Sequence, residues 1–159
     1  MKPITIKTFC SLLGDWVSSK AIQINNYVQP FYSQGGWEGW VQVELAMLLT
    51  ESSYDVIRER AIYNNSGQRA DLVINSTCSN ASYPPIVVEI KCQSIFLTDD
   101  DFYKAICADE QKLKNLPVKY KKLMIVFVVD QGIYDRLLKS DYYDVKNGNS
   151  NFTVLSKIL

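Results

Sequence analysis

The sequence predicts an α/β domain in which a mixed β-sheet is flanked by helices in three layers. Three features predict it. Residues 85–91 (PIVVEIK) and 122–130 (KLMIVFVVD) are short, β-branched apolar runs of the length expected for buried strands. Between them lies a segment of helical spacing that Pro117 closes, which is the pattern of a crossover between parallel strands. Upstream, two shorter strand-like runs separated by turn residues suggest an antiparallel meander leading into residues 85–91. The expected order is α–α–β–β–β–α–β–α–β, within a single domain spanning 1–159.

Residues 4–19 space Ile6, Phe9, Leu12, Leu13, Trp16 and Val17 as one apolar stripe of a helix, which Gly14 weakens without forbidding. Residues 20–36 are polar and aromatic, with Pro30 and Gly35-Gly36 as breakers. They read as a loop or as a short helix followed by a turn. Residues 37–50 (WEGWVQVELAMLLT) form the second helix, burying Trp37, Trp40, Val41, Leu45, Leu48 and Leu49. Glu44 sits close to that apolar face, where packing alone does not call for a carboxylate. The plain alternative is a flank position reaching solvent or an arginine.

Period-two character in residues 54–63 marks a first strand, and NNSGQ at 64–68 a turn. RADLVIN at 69–75 is the second strand, 76–84 a polar loop, and 85–91 the third strand. Thr98 with Asp101 three residues on resembles a capping box with Asp in place of Glu. It opens a helix over 99–115 with Phe102, Ile106 and Leu113 inward. Residues 122–130 form a central strand, 132–140 a short helix, 142–150 a loop and 151–159 a last strand.

Composition removes whole classes of mechanism. The chain has no histidine, so catalysis by Ser-His-Asp or Cys-His sets, or by histidine-held zinc, is excluded. Any chemistry must rest on carboxylates, lysines, hydroxyls, thiols or an oxygen-bound metal. The four cysteines are far apart with no C-x-x-C pair, which reads as reduced thiols and a cytoplasmic setting. No apolar run reaches the ~18 residues of a membrane span, and residues 1–19 make a poor signal peptide. Lys+Arg and Asp+Glu balance at 17 each, a point against avid non-specific binding to nucleic acid. The strongest local asymmetry is 112–122 (KLKNLPVKYKK), with five lysines and no acid. It reads as a solvated surface, with a track for a phosphate backbone as the alternative.

One constellation stands out. Glu89 and Lys91 are two apart at the end of an apolar strand, so their side chains share a face. Burying both is costly unless each finds a partner. Asp71, near the start of the preceding strand, comes beside them if the two strands are antiparallel. Converging carboxylates repel and call for a cation, and hard oxygen ligands suit Mg2+ or Mn2+. A lysine beside that metal stabilises charge building on a phosphate or acidifies a water.

Glu44 on a helix, then Arg69-Ala70-Asp71, then Glu89-Ile90-Lys91, resembles the PD-(D/E)XK nuclease superfamily of restriction-endonuclease-like fold. The resemblance covers about residues 36–130, as an αβββαβ core, with the helix at 4–19 and the segment 132–159 outside it. Asp109 and Lys112-Leu113 on the following helix are further echoes, as is Gly39–Leu45 (GWVQVEL) in the opening helix. The likeness is to small, stand-alone bacterial members. It implies Asp71, Glu89 and the Ile90 carbonyl as metal ligands, Lys91 as the catalytic lysine, and Glu44 as a residue orienting metal-bound water or assisting a second metal. Gln93 falls where some members carry an accessory polar residue. Ala70 stands where the family usually has proline. Cys92 is expected to turn away from the site by strand alternation.

Two functions follow as expectations. The first is a Mg2+- or Mn2+-dependent nuclease, with DNA as the expected nucleic acid. The second is a non-catalytic binding protein on the same fold, such as an immunity protein for a cognate toxin in bacterial competition. A homodimer is possible in either case, and no membrane partner is expected.

Overall fold

A computed structural model describes residues 1–28, 37–64, 67–146 and 152–159. The chain opens with α1 (Ile6–Gln23), capped by the Thr5 side chain, which accepts the Thr8 N–H. This helix outruns its expected end at 19. Lys20 to Gln23 contain no breaker, and Lys20 is held by an ion pair to Glu44 on the next helix. A π-helical turn follows over Ile24–Val28. The expected breakers at Pro30 and Gly35-Gly36 lie outside the described residues.

From α2 to β4 the order is α2 (Glu38–Glu51), β1 (Val56–Arg60), β2 (Ala70–Ile74), β3 (Ile86–Cys92), α3 (Asp99–Lys114) and β4 (Lys121–Val128). Then come α4 (Gln131–Leu138), β5 (Tyr143–Lys146) and β6 (Thr153–Ile158). The expected cap of α3 is present, with the Thr98 side chain accepting the Asp101 N–H. β5 departs from the expected loop over 142–150. It pairs antiparallel with β6, with an irregularity between Asp144 and Lys146, and so covers the outer side of β6. Four half-polar residues carry too little alternation to announce a strand. Residues 147–150 of that expected loop, 65–66 of the expected turn and Asn151 of the expected last strand lie outside the described residues.

The six strands form one mixed sheet in the order β1-β2-β3-β4-β6-β5. β3 and β4 are parallel neighbours, in register from Ile86↔Lys121 to Cys92↔Phe127, and are joined through α3. Every other pairing is antiparallel. Alternation along β4 explains its continuous apolar run. Leu123, Ile125 and Phe127 pack with α1 and α2, while Met124, Val126 and Val128 pack with α3 and α4. A strand buried on both faces has no polar side to show. An aromatic group of Trp16, Trp37, Phe127 and Phe152 fills the α1–α2 side. No helix among the described residues is long and apolar enough to cross a membrane.

One irregularity positions the site. The β2–β3 ladder has its last pair at Leu72↔Val88. Level with Asp71 on β1, between the pairs Arg58↔Leu72 and Arg60↔Ala70, Glu59 takes a φ of 52°. A non-glycine residue pays a conformational penalty there, so the meander is distorted at the level of Asp71.

Candidate functional site

Asp71, Glu89 and Lys91 are brought together at the end of β3. Where the β2–β3 ladder stops, the side chain of Asp71 continues it: Oδ2 accepts the Ile90 N–H at 2.6 Å. Its other oxygen, Oδ1, accepts from Gln42 Nε2 at 2.8 Å. Glu89 accepts a short hydrogen bond from the Tyr63 hydroxyl through Oε1, and its Oε2 lies 3.8 Å from Lys112 Nζ. Lys91 Nζ lies 3.1 Å from Glu38 Oε1 and 3.0 Å from Asp109 Oδ2. Asp109 is also ion-paired to Lys112 through Oδ1. The cluster thus holds four carboxylates (Glu38, Asp71, Glu89, Asp109) against two ammonium groups (Lys91, Lys112). That leaves a formal excess of two negative charges.

Burial sets the electrostatics. Asp71 and Glu89 are 8% and 2% exposed. Burial, and then the charge of Glu89, pushes the Asp71 carboxyl up to about 8, although the Ile90 N–H offsets part of this. Glu89 is raised to about 7 by burial, against the opposing pull of Tyr63 and Lys112. Burial also raises Glu38, with Lys91 partly offsetting it. For Lys91, burial would lower the value, but Glu38 and Asp109 together carry it above the ordinary lysine range. Lys91 is therefore a fixed positive charge, unsuited to act as a base near neutrality. Burial and then the Glu89 charge raise the Tyr63 phenol, which stays a donor.

Glu44 is not part of this cluster. Its Oε2 pairs with Lys20 Nζ at 3.0 Å, on the side of α2 that meets α1. The groups that α2 sends to the site are Glu38 and Gln42, which share a face by their i, i+4 spacing. Glu44 lies two residues past Gln42, roughly 200° further around the helix. Two features of α2 hide this in the sequence. Apolar residues occur all around α2, so its phase was weakly determined. Glu38 stands in a first turn, where an acid is already explained by the helix dipole. Tyr63, between β1 and β2, carried no signal beyond being an aromatic near a turn.

Gln93 is buried, and its hydrogen bonds go to groups outside the cluster. Its Oε1 accepts from Val129 N at 2.9 Å and Asp130 N at 3.0 Å, and its Nε2 donates to Asp99 Oδ1 at 3.0 Å. Its carbonyl accepts from Trp37 Nε1 at 3.0 Å. Gln93 therefore ties the ends of β3 and β4 to α2 and α3. Cys92 packs among the apolar side chains below α1 and α2, and burial holds its thiol well above the usual range. It is no reactive thiolate.

Among the described residues, no three carboxylate or thiol side chains form a ready-made metal cage. Mg2+ does not require one, because it commonly takes one or two carboxylates and keeps several waters. Two buried carboxylates with raised proton affinity, in a cluster two charges short of neutrality, fit a divalent cation. No family model, curated protein or solved structure matches the chain.

Proposed function

We propose that this chain is a divalent-cation-dependent phosphodiesterase that cleaves nucleic acid, on a core of restriction-endonuclease-like type. The observation that carries the reading is the Asp71–Glu89 pair. Two buried carboxylates of raised proton affinity, Asp71 pushed up further by the charge of Glu89 and Glu89 by that of Asp109, lie at one end of adjacent strands beside the fixed charge of Lys91. The αβββαβ order from α2 to β4 supports the same reading. Asp71, Glu89 and the Ile90 carbonyl are the groups that would hold Mg2+ or Mn2+, which when bound supplies a Lewis acid and a more acidic water.

The chain's own side chains do the rest. Lys91, aimed by Glu38 and Asp109, presents positive charge to a phosphate. Gln42 fixes one oxygen of Asp71 and the Ile90 N–H the other. Tyr63 orients Glu89. With no histidine available, proton movement falls to water and the carboxylates. A plasmid-nicking assay with Mg2+ or Mn2+ tests this: cleavage is expected for the wild type and absent for Glu89→Ala and Lys91→Ala. Cleavage preserved in both variants overturns the assignment.

One observation favours a second reading, a binding protein such as an immunity protein for a cognate toxin. Both lysines of the cluster are already engaged by carboxylates. Between β3 and α3, Ile95, Phe96 and Leu97 are 77%, 56% and 48% exposed, and after Thr98 come Asp99, Asp100 and Asp101. An apolar and acidic surface of this kind suits a protein partner. Calorimetric titration separates the two readings, since binding of neither Mg2+ nor Mn2+ favours the second.

A further inference from the structure

Two adjoining depressions lie along the β1–β2 side of the cluster. One, of about 520 Å3, is lined at its near end by Tyr63 and Lys112 and at its far end by Lys119 and Tyr120. The other, of about 490 Å3, shares Lys119 and Tyr120 and continues to Arg60 and Asn80. Together they make one trough, and its near end is the wall of the cluster. Tyr63 donates to Glu89, and Lys112 is ion-paired to Glu89 and Asp109.

The lining is one-signed. Lys112, Lys119 and Arg60 contribute positive charge, and no acidic side chain among the described residues lines either part. Lys119 is exposed and lies 5.1 Å from the centre of the Tyr120 ring, and Arg60 donates to the Ser76 hydroxyl. Among the described residues neither is paired to a carboxylate. In a chain of zero formal net charge, a trough in which two of the three cations, Lys119 and Arg60, have no carboxylate partner among the described residues is a specific feature rather than a general basic surface. It also gives a place to the lysine run at 112–122, which supplies Lys112 and Lys119.

We infer that this trough binds a single-stranded polynucleotide and leads it to the carboxylate cluster, an inference that rests on the proposed phosphodiesterase reading only for its destination. Phosphates lie against Lys119 and Arg60. Tyr63 and Tyr120 are half-buried side chains in the lining that pack partly on the core, with the Lys112 and Lys119 ammonium groups over their rings, and a base can share such a ring with its lysine only when its own face is free. A duplex hides its base faces, so the two tyrosines select an unpaired strand. The remaining polar groups of the lining, Asn64, Gln68, Gln111 and Asn115 among them, can meet base edges without demanding one sequence.

The test is fluorescence anisotropy on the full chain in EDTA, so that binding is read without cleavage. The probes are labelled oligothymidylate, labelled oligouridylate and a labelled DNA duplex. At least one single strand is expected to bind roughly tenfold or more tightly than the duplex, with Tyr120→Ala weakening it about tenfold. Lys119→Glu is expected to do the same and to flatten the salt dependence by about one unit of slope. Lys119 is exposed, so its reversal leaves folding intact, and Lys139→Glu, just past the end of α4, serves as the control with unchanged affinity. Equal affinity for the duplex, or unchanged single-strand affinity in Lys119→Glu, overturns the track. Failure of the track and of the phosphodiesterase reading are distinguishable. Single-strand binding that is lost in Lys119→Glu, without cleavage in any metal, keeps the track and removes the enzyme. Wild-type cleavage with Lys119→Glu binding as tightly as wild type removes the track and keeps the enzyme.

Discussion

Asp71 Oδ2 accepts the backbone N–H of Ile90 at 2.6 Å, one residue beyond the last paired residue of β2. A charged side chain thus does there what a backbone carbonyl would do in an uninterrupted ladder. The exchange leaves a carboxylate in the sheet, 8% exposed, with Glu89 raising its proton affinity further. A neutral acceptor would hold the strands equally well, so strand pairing does not by itself explain the charge.

That argument makes Asp71→Asn informative. Asparagine keeps an acceptor for the Ile90 N–H and, with the Gln42 amide turned over, can donate to it. The variant is expected to be as stable as the wild type at pH 9 or more stable, by up to about 1–4 kcal/mol, while losing metal-dependent cleavage. Urea unfolding at pH 9 beside a nicking assay checks both. A large loss of stability places the role of Asp71 in the fold.

The same pair fixes a pH dependence. Asp71 and Glu89 have folded values raised to about 8 and about 7, and Glu38 is raised as well. Between the ordinary carboxylate range and these values the folded state holds protons that the unfolded state has released. Stability therefore falls as pH rises from about 4 to about 8, by roughly 1.4 kcal/mol per pH unit for each group still protonated only in the fold. Asp55 and Glu110 are shifted downward, burial being outweighed by the Thr77 and Cys78 N–H groups at Asp55 and by Tyr142 and the lysines at Glu110. Their contribution is lost only below the ordinary range, outside this window. Urea unfolding at pH 5, 6.5 and 8 should show the decline, and Mg2+ should flatten its upper part by binding the ionised pair. A profile flat in both conditions removes the buried carboxylate pair from the account.

The carboxylate pair and its lysine were legible because a charge at the end of an apolar strand is costly and conspicuous, and because alternation fixes which neighbours share its face. The supporting groups were not legible for physical reasons that differ among them. Glu38 and Glu44 both lie on a helix with little polar–apolar asymmetry, so only packing against the sheet and α1 could decide which one faces the site. Tyr63 reaches Glu89 across the sheet from outside any strand, a contact that no local pattern encodes. β5 exists because β6 has an open side, which is a property of the assembled sheet rather than of residues 143–146.

The division between the two acids of α2 can be measured directly. Glu44→Gln breaks only a half-exposed pair with Lys20, worth about 0–1 kcal/mol, and is expected to leave cleavage unchanged. Glu38→Gln frees one partner of Lys91 and is expected to lower cleavage at least tenfold. The opposite ranking in a nicking assay returns Glu44 to the site.

Gln93 separates a structural role from an accessory catalytic one. Gln93→Ala strips the acceptor from the Val129 and Asp130 N–H groups and the donor from Asp99. A loss of about 2–4 kcal/mol is expected from these unsatisfied groups, with near-normal cleavage at a temperature where the protein stays folded. Full stability with lost cleavage would mean that Gln93 works in the chemistry.

Lys91 allows the sharpest test, because its removal has two consequences that can be pulled apart. Lys91→Met leaves Glu38 and Asp109 around an apolar side chain where both had shared one cation. Breaking a buried pair from one side is expected to destabilise by about 3–5 kcal/mol, reduced somewhat because Lys91 is 22% exposed. Adding Glu38→Gln removes one of the two stranded charges and should restore part of that stability, a coupling that a double-mutant cycle reads directly. Cleavage should not return in the double variant, since neither substitution restores positive charge beside the Asp71–Glu89 pair. Recovered stability without recovered cleavage assigns Lys91 to the chemistry. Recovery of both would make it a counter-ion for Glu38 and nothing more.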